Sequence, residues 1–172
     1  MTLKLNFFAK SDRGLIRDNN EDSGYAGPHL LILADGMGGH AAGEVASELM
    51  VNHLEILDQD PGQEDTKALL EAAAEQANEA ISDHVKAHPE TEGMGTTLST
   101  MLFNGTDFGV CHVGDSRGYL LRDGKLKQIT KDDTYVQSLV DKGELDPGDV
   151  SSHPQKSLIL KAVSYTHLTL PT

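Results

Sequence analysis

Asn104-Gly105 separates a strand-like run, Gly95 to Phe103, from a return run in which Phe108, Val110 and His112 alternate with their neighbours. An Asn-Gly pair accepts the left-handed backbone that a tight reversal requires, which makes it the strongest short-range hairpin signal. Asp123-Gly124 repeats the device between Tyr119–Arg122 and Lys125–Ile129. Strands joined by such turns run antiparallel, whereas parallel neighbours need a long crossover. The middle of the chain is therefore expected to be antiparallel sheet, which favours an α+β fold over a doubly wound parallel one.

The flanking elements fit that frame. Leu3, Leu5 and Phe7 alternate with polar residues, the pattern of a half-buried strand. A second strand is expected over His29 to Ala34, ending at Asp35. Val45, Leu49, Met50, His53 and Leu57 recur at helical spacing within Gly43 to Leu57. Asp60-Pro61 reads as a helix start, Asp60 the N-cap and proline the first position, with an alanine-rich helix running to Val85 and stopped by His88-Pro89. A short helix is expected over Asp132 to Lys142, closed by Gly143, followed by an acidic, irregular segment to His153-Pro154. No internal repeat or interdomain linker interrupts the 172 residues, a length suited to one domain.

Charge narrows the partners. The formal net charge is −13, so nothing would neutralise a nucleic-acid backbone. Cys111 is the single cysteine, so no intramolecular disulfide is possible, which fits a reducing compartment. No early apolar h-region follows Met1, and no apolar run approaches the ~20 residues of a membrane span. A soluble, cytoplasmic chain is expected.

The chemistry begins at Leu31-Ile32-Leu33-Ala34-Asp35-Gly36-Met37-Gly38-Gly39-His40. An apolar run of strand length delivers one carboxylate beside a backbone loop nearly free of side chains, an arrangement suited to a hard cation or a phosphate. Arg17 and Asp22 stand in the charged loop upstream, and Asp115 follows the return strand. Arginine grips phosphate bidentately, and carboxylates with a backbone carbonyl and water are the ligands Mg²⁺ and Mn²⁺ prefer. Together they point to metal-assisted phosphoester hydrolysis.

Four motifs in order carry a resemblance: Asp12-x-Gly14-x-x-Arg17-x-x-Asn20-Glu21-Asp22, Asp35-Gly36-Met37-Gly38-Gly39, Met94-Gly95-Thr96-Thr97, and Gly114-Asp115-Ser116-Arg117. The chain resembles the PPM family, the metal-dependent type 2C serine/threonine protein phosphatases, over about residues 5 to 163. The wording from Lys131 to Ser157 looks bacterial, most like actinobacterial members. The resemblance implies two stacked antiparallel β-sheets flanked by helices, a four-layer αββα sandwich, incomplete here at its C-terminal end. It implies hydrolysis of phosphoserine and phosphothreonine in proteins by a metal-bridged water, with two Mn²⁺ or Mg²⁺ ions and a third, weaker site. Residue by residue, Arg17 matches the phosphate-binding arginine and Asp35 the aspartate bridging both ions. Gly36 matches the glycine that offers its carbonyl. Glu21 and Asp22 match acids holding an ion or its waters. Asp115 matches the third site, and Ser157 lies in a segment that reaches it in related sequences. The segment from about Thr134 to Ser157 corresponds to a flap. Implied partners are phosphorylated proteins, among them bacterial Ser/Thr kinases and their substrates, met by a monomer; some relatives are tethered to a membrane by a later region.

Two departures stand out. Met37 replaces the histidine that many eukaryotic members carry as proposed general acid; a thioether passes no proton at neutral pH, and His40 reads as an ordinary loop histidine. The family's later Asp-Gly-x-x-Asp segment and Asp-Asn pair do not appear after Ser157, and residues 164–172 read as a vector- or sequencing-derived tail on a partial domain at 1–163. The alternative is thus an inactive fragment or a phosphoprotein-binding module. A second enzyme class is formally present, because Cys111 to Arg117 has the Cys-x5-Arg spacing of cysteine-dependent phosphatases. The hairpin that follows, where that chemistry needs a helix N-terminus, argues for a core cysteine instead.

Overall fold

The computed structural model describes residues 3–39, 42–62 and 64–164. Its elements, in chain order, are β1 (Asp22–Ala26), β2 (Leu30–Met37), α1 (Ala42–Leu54), α2 (Thr66–Ala87), β3 (Gly95–Thr96), β4 (Leu98–Phe103), β5 (Phe108–Val113), β6 (Tyr119–Arg122), β7 (Lys125–Gln128), α3 (Tyr135–Asp141) and β8 (Val163–Ser164). Short 3₁₀ turns occupy Glu55–Leu57, Pro89–Thr91 and Pro147–Ser152. The class is the expected α+β. A six-stranded antiparallel sheet runs β5-β4-β2-β3-β8, with β1 also paired to β2, and β6–β7 form a second, two-stranded sheet.

Strand β2 is the axis because its residues alternate between two environments. Leu30, Ile32, Ala34 and Gly36 are buried on one face, and Leu31, Leu33 and Asp35 look the other way. The buried face meets α1 and α2, whose Ala46, Met50, Leu54, Leu70, Ala74, Ala77 and Ile81 are fully buried. Each fully buried Leu, Ile or Met side chain contributes roughly 1.5–3 kcal/mol relative to exposure, so this layer holds the core. The opposite face carries Leu33 and Val110 with appreciable exposure. Among the described helices, none is long and apolar enough to cross a membrane.

Several expectations are corrected. Residues 3–10 form no strand, and Leu3, Phe7 and Phe8 are exposed. Alternation makes a strand only where a neighbour completes the ladder. Strand β2 runs three residues beyond Ala34, because Gly36 and Met37 pair with Thr96 and Gly95; Asp35 therefore stands inside a ladder. The N-cap of α2 is Asp65, whose carboxylate accepts from Lys67 N at 3.0 Å and Ala68 N at 3.2 Å, a cap worth about 1 kcal/mol. Asp60 instead closes a turn onto Gly62 N at 2.9 Å.

The expected strand over Gly95 to Phe103 breaks at Thr97. On β5 the alternation holds, with Gly109, Cys111 and Val113 on the buried face and Cys111 in the core as expected. The first turn of α2 presses so closely that a Cβ at position 109 would lie 2.5 Å from Thr66 Oγ1. Small residues therefore take the helix side. Helix α3 is shorter than expected and is capped by Thr134. Of the supposed foreign tail, Ser164 pairs with Gly95, and residues 165–172 lie outside the described residues.

Candidate functional site

The β1–β2 ladder sets Asp22 directly opposite Asp35. Directly opposed residues of an antiparallel pair project to the same face with their Cβ atoms about 5 Å apart, so two carboxylates are forced together by register. Glu21, one residue earlier, is fixed through its backbone: its carbonyl accepts from Gly36 N at 3.0 Å and from Ser47 Oγ at 2.7 Å. Its carboxylate accepts from Asn19 Nδ2 at 2.9 Å and lies against the first turn of α1, where a Cβ at Gly43 would sit 2.5 Å from Oε2. A helix N-terminus favours such a negative charge. Gly36 is required by the same crowding, since a Cβ there would strike the Gly43 carbonyl and come within 2.7 Å of the Glu21 carbonyl.

The charged loop before β1 is held by its own short side chains. Asp12 accepts from Gly14 N at 2.8 Å, Asn20 donates to Ser11 Oγ at 2.7 Å and accepts from Asp22 N at 3.2 Å, and Arg13 donates to the Asp18 carbonyl at 3.2 Å. This local bonding replaces regular structure. Arg17 is exposed on the loop and has no hydrogen-bond or ion-pair partner among the described residues. With Glu21, Asp22, Asp35 and Gly36 it lines a cavity of about 230 Å³, to which Asp12 and Asn20 also contribute.

A larger cleft of about 550 Å³ runs along the outer sheet face between Phe8, Leu31, Leu33, Val110 and Ile129. Volume does not mark the chemistry here, because that cleft offers mainly apolar walls and the smaller one gathers the charges.

The electrostatics of the small cavity are unbalanced. The Asp35 carboxyl is raised from 3.8 to about 6, first by partial desolvation, then by the charge and hydrogen bond of Asp22, then by Asp115 and Glu21. Like charges that cannot all ionise together share a proton or await a cation. Hard oxygen donors, namely the carboxylates and the Gly36 carbonyl, suit Mg²⁺ or Mn²⁺, which keep several waters and need few protein ligands. Among the described residues no three His, Cys, Asp or Glu side chains converge into a ready-made cage, so an ion here would be largely hydrated.

Five of the seven residues singled out from sequence therefore meet in one place. Asp115 follows β5 after Gly114 and does not line the cavity, although its charge reaches Asp35. Ser157 is exposed in the turn after Pro147–Ser152 and does not line it either. His40 lies outside the described residues, and Met37 is half-buried. No role was read from sequence for Asp12, Asn19 and Asn20, which line the cavity from the charged loop, or for Thr96 and Thr97, which bond the backbone of Asp35.

The cysteine alternative fails on geometry. Cys111 is buried on the helix side of β5, and burial, then the charge of Glu71, push its thiol up to about 11. Arg117 is clamped by Asp132, Nε at 3.0 Å and Nη2 at 2.6 Å from the same oxygen, so its fork cannot also cradle a phosphate.

Comparison with known proteins identifies the family. Residues 5–138 match the family model described as Protein phosphatase 2C. The serine/threonine protein phosphatase PstP of Mycobacterium tuberculosis is 58% identical over 164 residues, 95% of this chain. The chain spans only 32% of that relative's length. The crystal structure of M. tuberculosis PstP superposes with a TM-score of 0.94 at 57% identity, covering 97% of this chain and 71% of that one. A structure of the PstP catalytic domain in complex with two manganese ions gives a TM-score of 0.90 at 53% identity, covering 98% and 70%. With more than half its length matched by the family model and its backbone superposed on a solved member, the chain belongs to the protein phosphatase 2C family.

Proposed function

We propose that this chain carries the phosphate-hydrolysing centre of a metal-dependent protein serine/threonine phosphatase. The observation that carries the reading is the meeting of Arg17 with the Asp22–Asp35 register pair in one cavity. Arg17 would bind the phosphoryl oxygens, its fork matching them bidentately. Asp35, Asp22 and the Gly36 carbonyl would hold a pair of Mn²⁺ or Mg²⁺ ions, with Glu21 fixing their waters; Asp115 would serve a third, weaker site. When bound, the ions supply Lewis-acid charge that lowers the pKa of water and offsets charge developing on the phosphoryl group. The PstP domain with two manganese ions supports this assignment. Phosphorylated proteins, including bacterial Ser/Thr kinases and their substrates, are the proposed partners.

The test is hydrolysis of a phosphothreonine peptide by the 172-residue chain with Mn²⁺ titrated in, against EDTA, Asp35→Asn and Cys111→Ser. Metal-dependent turnover lost in Asp35→Asn and kept in Cys111→Ser is expected. Turnover that ignores EDTA overturns the reading. A second reading, a phosphoprotein-binding module without turnover, is favoured because the carboxylates lining the cavity do not converge three at a time closely enough to hold an ion among the described residues. It predicts peptide binding that depends on Arg17 and no phosphate release at any Mn²⁺ concentration.

A further inference from the structure

We infer that Thr97 is a positioning residue whose one hydroxyl ties the backbone of Asp35 to the loop carrying Asp115, and so fixes how the two acids stand relative to each other. The inference rests on the reading of Asp35 as a metal ligand.

The ladder places Thr97 where it can do this. Leu33 pairs with Ser99 and Gly36 with Thr96, so the unbroken register sets Thr97 opposite Asp35. A regular antiparallel pair would exchange two backbone hydrogen bonds at such a position. Here only one is made by backbone, from Thr97 N to the Asp35 carbonyl at 2.9 Å. The other is replaced: Asp35 N donates to Thr97 Oγ1 at 3.0 Å. The break between β3 and β4 lies at this residue, and the hydroxyl stands in for the missing carbonyl.

Having accepted from Asp35, the same oxygen shares a second bond with Ser116 Oγ at 2.8 Å. Thr97 is 1% exposed, so neither bond competes with water. The Asp115 loop closes onto it because position 114 lacks a Cβ: at φ +106°, a side chain there would come within 2.7 Å of Thr97 Cγ2. The other side of the loop is pinned by Asp133, whose N donates to the Gly114 carbonyl at 2.8 Å. Thr96 grips the Asp35 carbonyl at 3.1 Å but makes no bond to the loop in this arrangement. Thr97 alone, among the described residues, has hydrogen bonds to both Asp35 and Ser116.

Groups that orient metal ligands from behind typically cost about 10- to 100-fold in metal affinity when removed. Mn²⁺ binding to the intact chain, measured by calorimetry, reads this without any turnover. Thr97→Val keeps the shape and deletes the hydroxyl; it is expected to weaken Mn²⁺ binding about tenfold. Thr97→Ser should restore it. Thr100→Val is the stability control, because Thr100 is equally buried on β4 and its hydroxyl bonds the Leu31 carbonyl at 2.9 Å, away from the acids; it should leave Mn²⁺ affinity unchanged.

Ser116→Ala cuts only the loop arm and guards against a Thr97 variant that fails to fold. Its loss of Mn²⁺ affinity should disappear in an Asp115→Ala background. Wild-type affinity in folded Thr97→Val, or an equal loss in Thr100→Val, overturns the inference while leaving Asp35 as a ligand. Mn²⁺ binding that survives Asp35→Asn at full strength overturns the ligand reading, and this inference with it.

Discussion

Asp22 and Asp35 are register partners across the β1–β2 ladder, and desolvation of Asp35, followed by the charge and hydrogen bond of Asp22, raises its carboxyl from 3.8 to about 6. In the folded chain without metal, Asp35 holds its proton more tightly than an unfolded aspartate does. The native state therefore binds more protons between these two values, and stability falls as pH rises from about 4 to about 6. Below the window both states are protonated, and above it the penalty is complete. Asp35→Asn should thus stabilise the metal-free chain at pH 7 relative to wild type and leave it unchanged near pH 3.5. Saturating Mn²⁺ should reverse the order, because only wild type gains binding energy. Denaturant melts in EDTA and in Mn²⁺ at both pH values check this; a destabilised Asp35→Asn in EDTA at pH 7 contradicts it.

Arg17 is expected to act on phosphate and not on metal. It is exposed, with no partner among the described residues, so its removal leaves no buried charge behind. Arg17→Ala should leave the melting curve and Mn²⁺ affinity at wild-type values. It should lower kcat/KM for a phosphopeptide by about 10- to 100-fold, the worth of about 1.5–3 kcal/mol from charge-assisted hydrogen bonds. Arg17→Lys should recover only part of this, since an ammonium is a point charge without a fork. Equal Mn²⁺ loss in Arg17→Ala would show that the loop builds the ion site itself.

Legibility in the sequence tracked how local the cause was. Asn104-Gly105 and Asp123-Gly124 announced both hairpins because the turn residue decides the turn, whereas of the α1 stripe only Met50 is buried, the helix turning Ala42, Gly43, Ala46, Ser47, Val51 and Leu54 to the core with it. Leu3, Leu5 and Phe7 misled because a strand needs a partner that alternation does not supply. The alternation along β5 left its buried face open, because Gly109 is selected by the approach of α2, a contact 43 residues removed in sequence from Thr66. Arg17, Glu21, Asp22, Asp35 and Gly36 were legible through motif resemblance, and the structure brings them to one cavity. Thr97 was visible only as a letter in a motif, since its role depends on the register that sets it opposite Asp35.

Cys111 tests the exclusion of thiol chemistry. Burial pushes its thiol up to about 11, and thiolate is the reactive form. The folded chain at pH 8 should resist a disulfide-exchange reagent, with labelling appearing only at denaturant concentrations that unfold it. Cys111→Ala should retain any phosphatase activity in full. Fast labelling under native conditions would show that β5 opens locally.

Gly36 carries the steric prediction. Its backbone accepts the first turn of α1 so closely that a Cβ would strike the Gly43 carbonyl and press on the Glu21 carbonyl at 2.7 Å. Both obstacles are backbone, and neither can rotate aside. Gly36→Ala must therefore push α1 away from β2 or bend the ladder at Asp35. Overpacking of this kind costs about 1–3 kcal/mol. The displacement acts on the hydrogen bond from Gly36 N to the Glu21 carbonyl, so Mn²⁺ affinity should fall together with stability. Gly39→Ala is the matched control, because a Cβ there meets nothing within 4 Å and should change neither. Thermal melts paired with Mn²⁺ calorimetry on both variants decide the matter: a Gly36→Ala chain as stable as wild type would mean that α1 sits further from β2 than the Gly36–Gly43 contact requires.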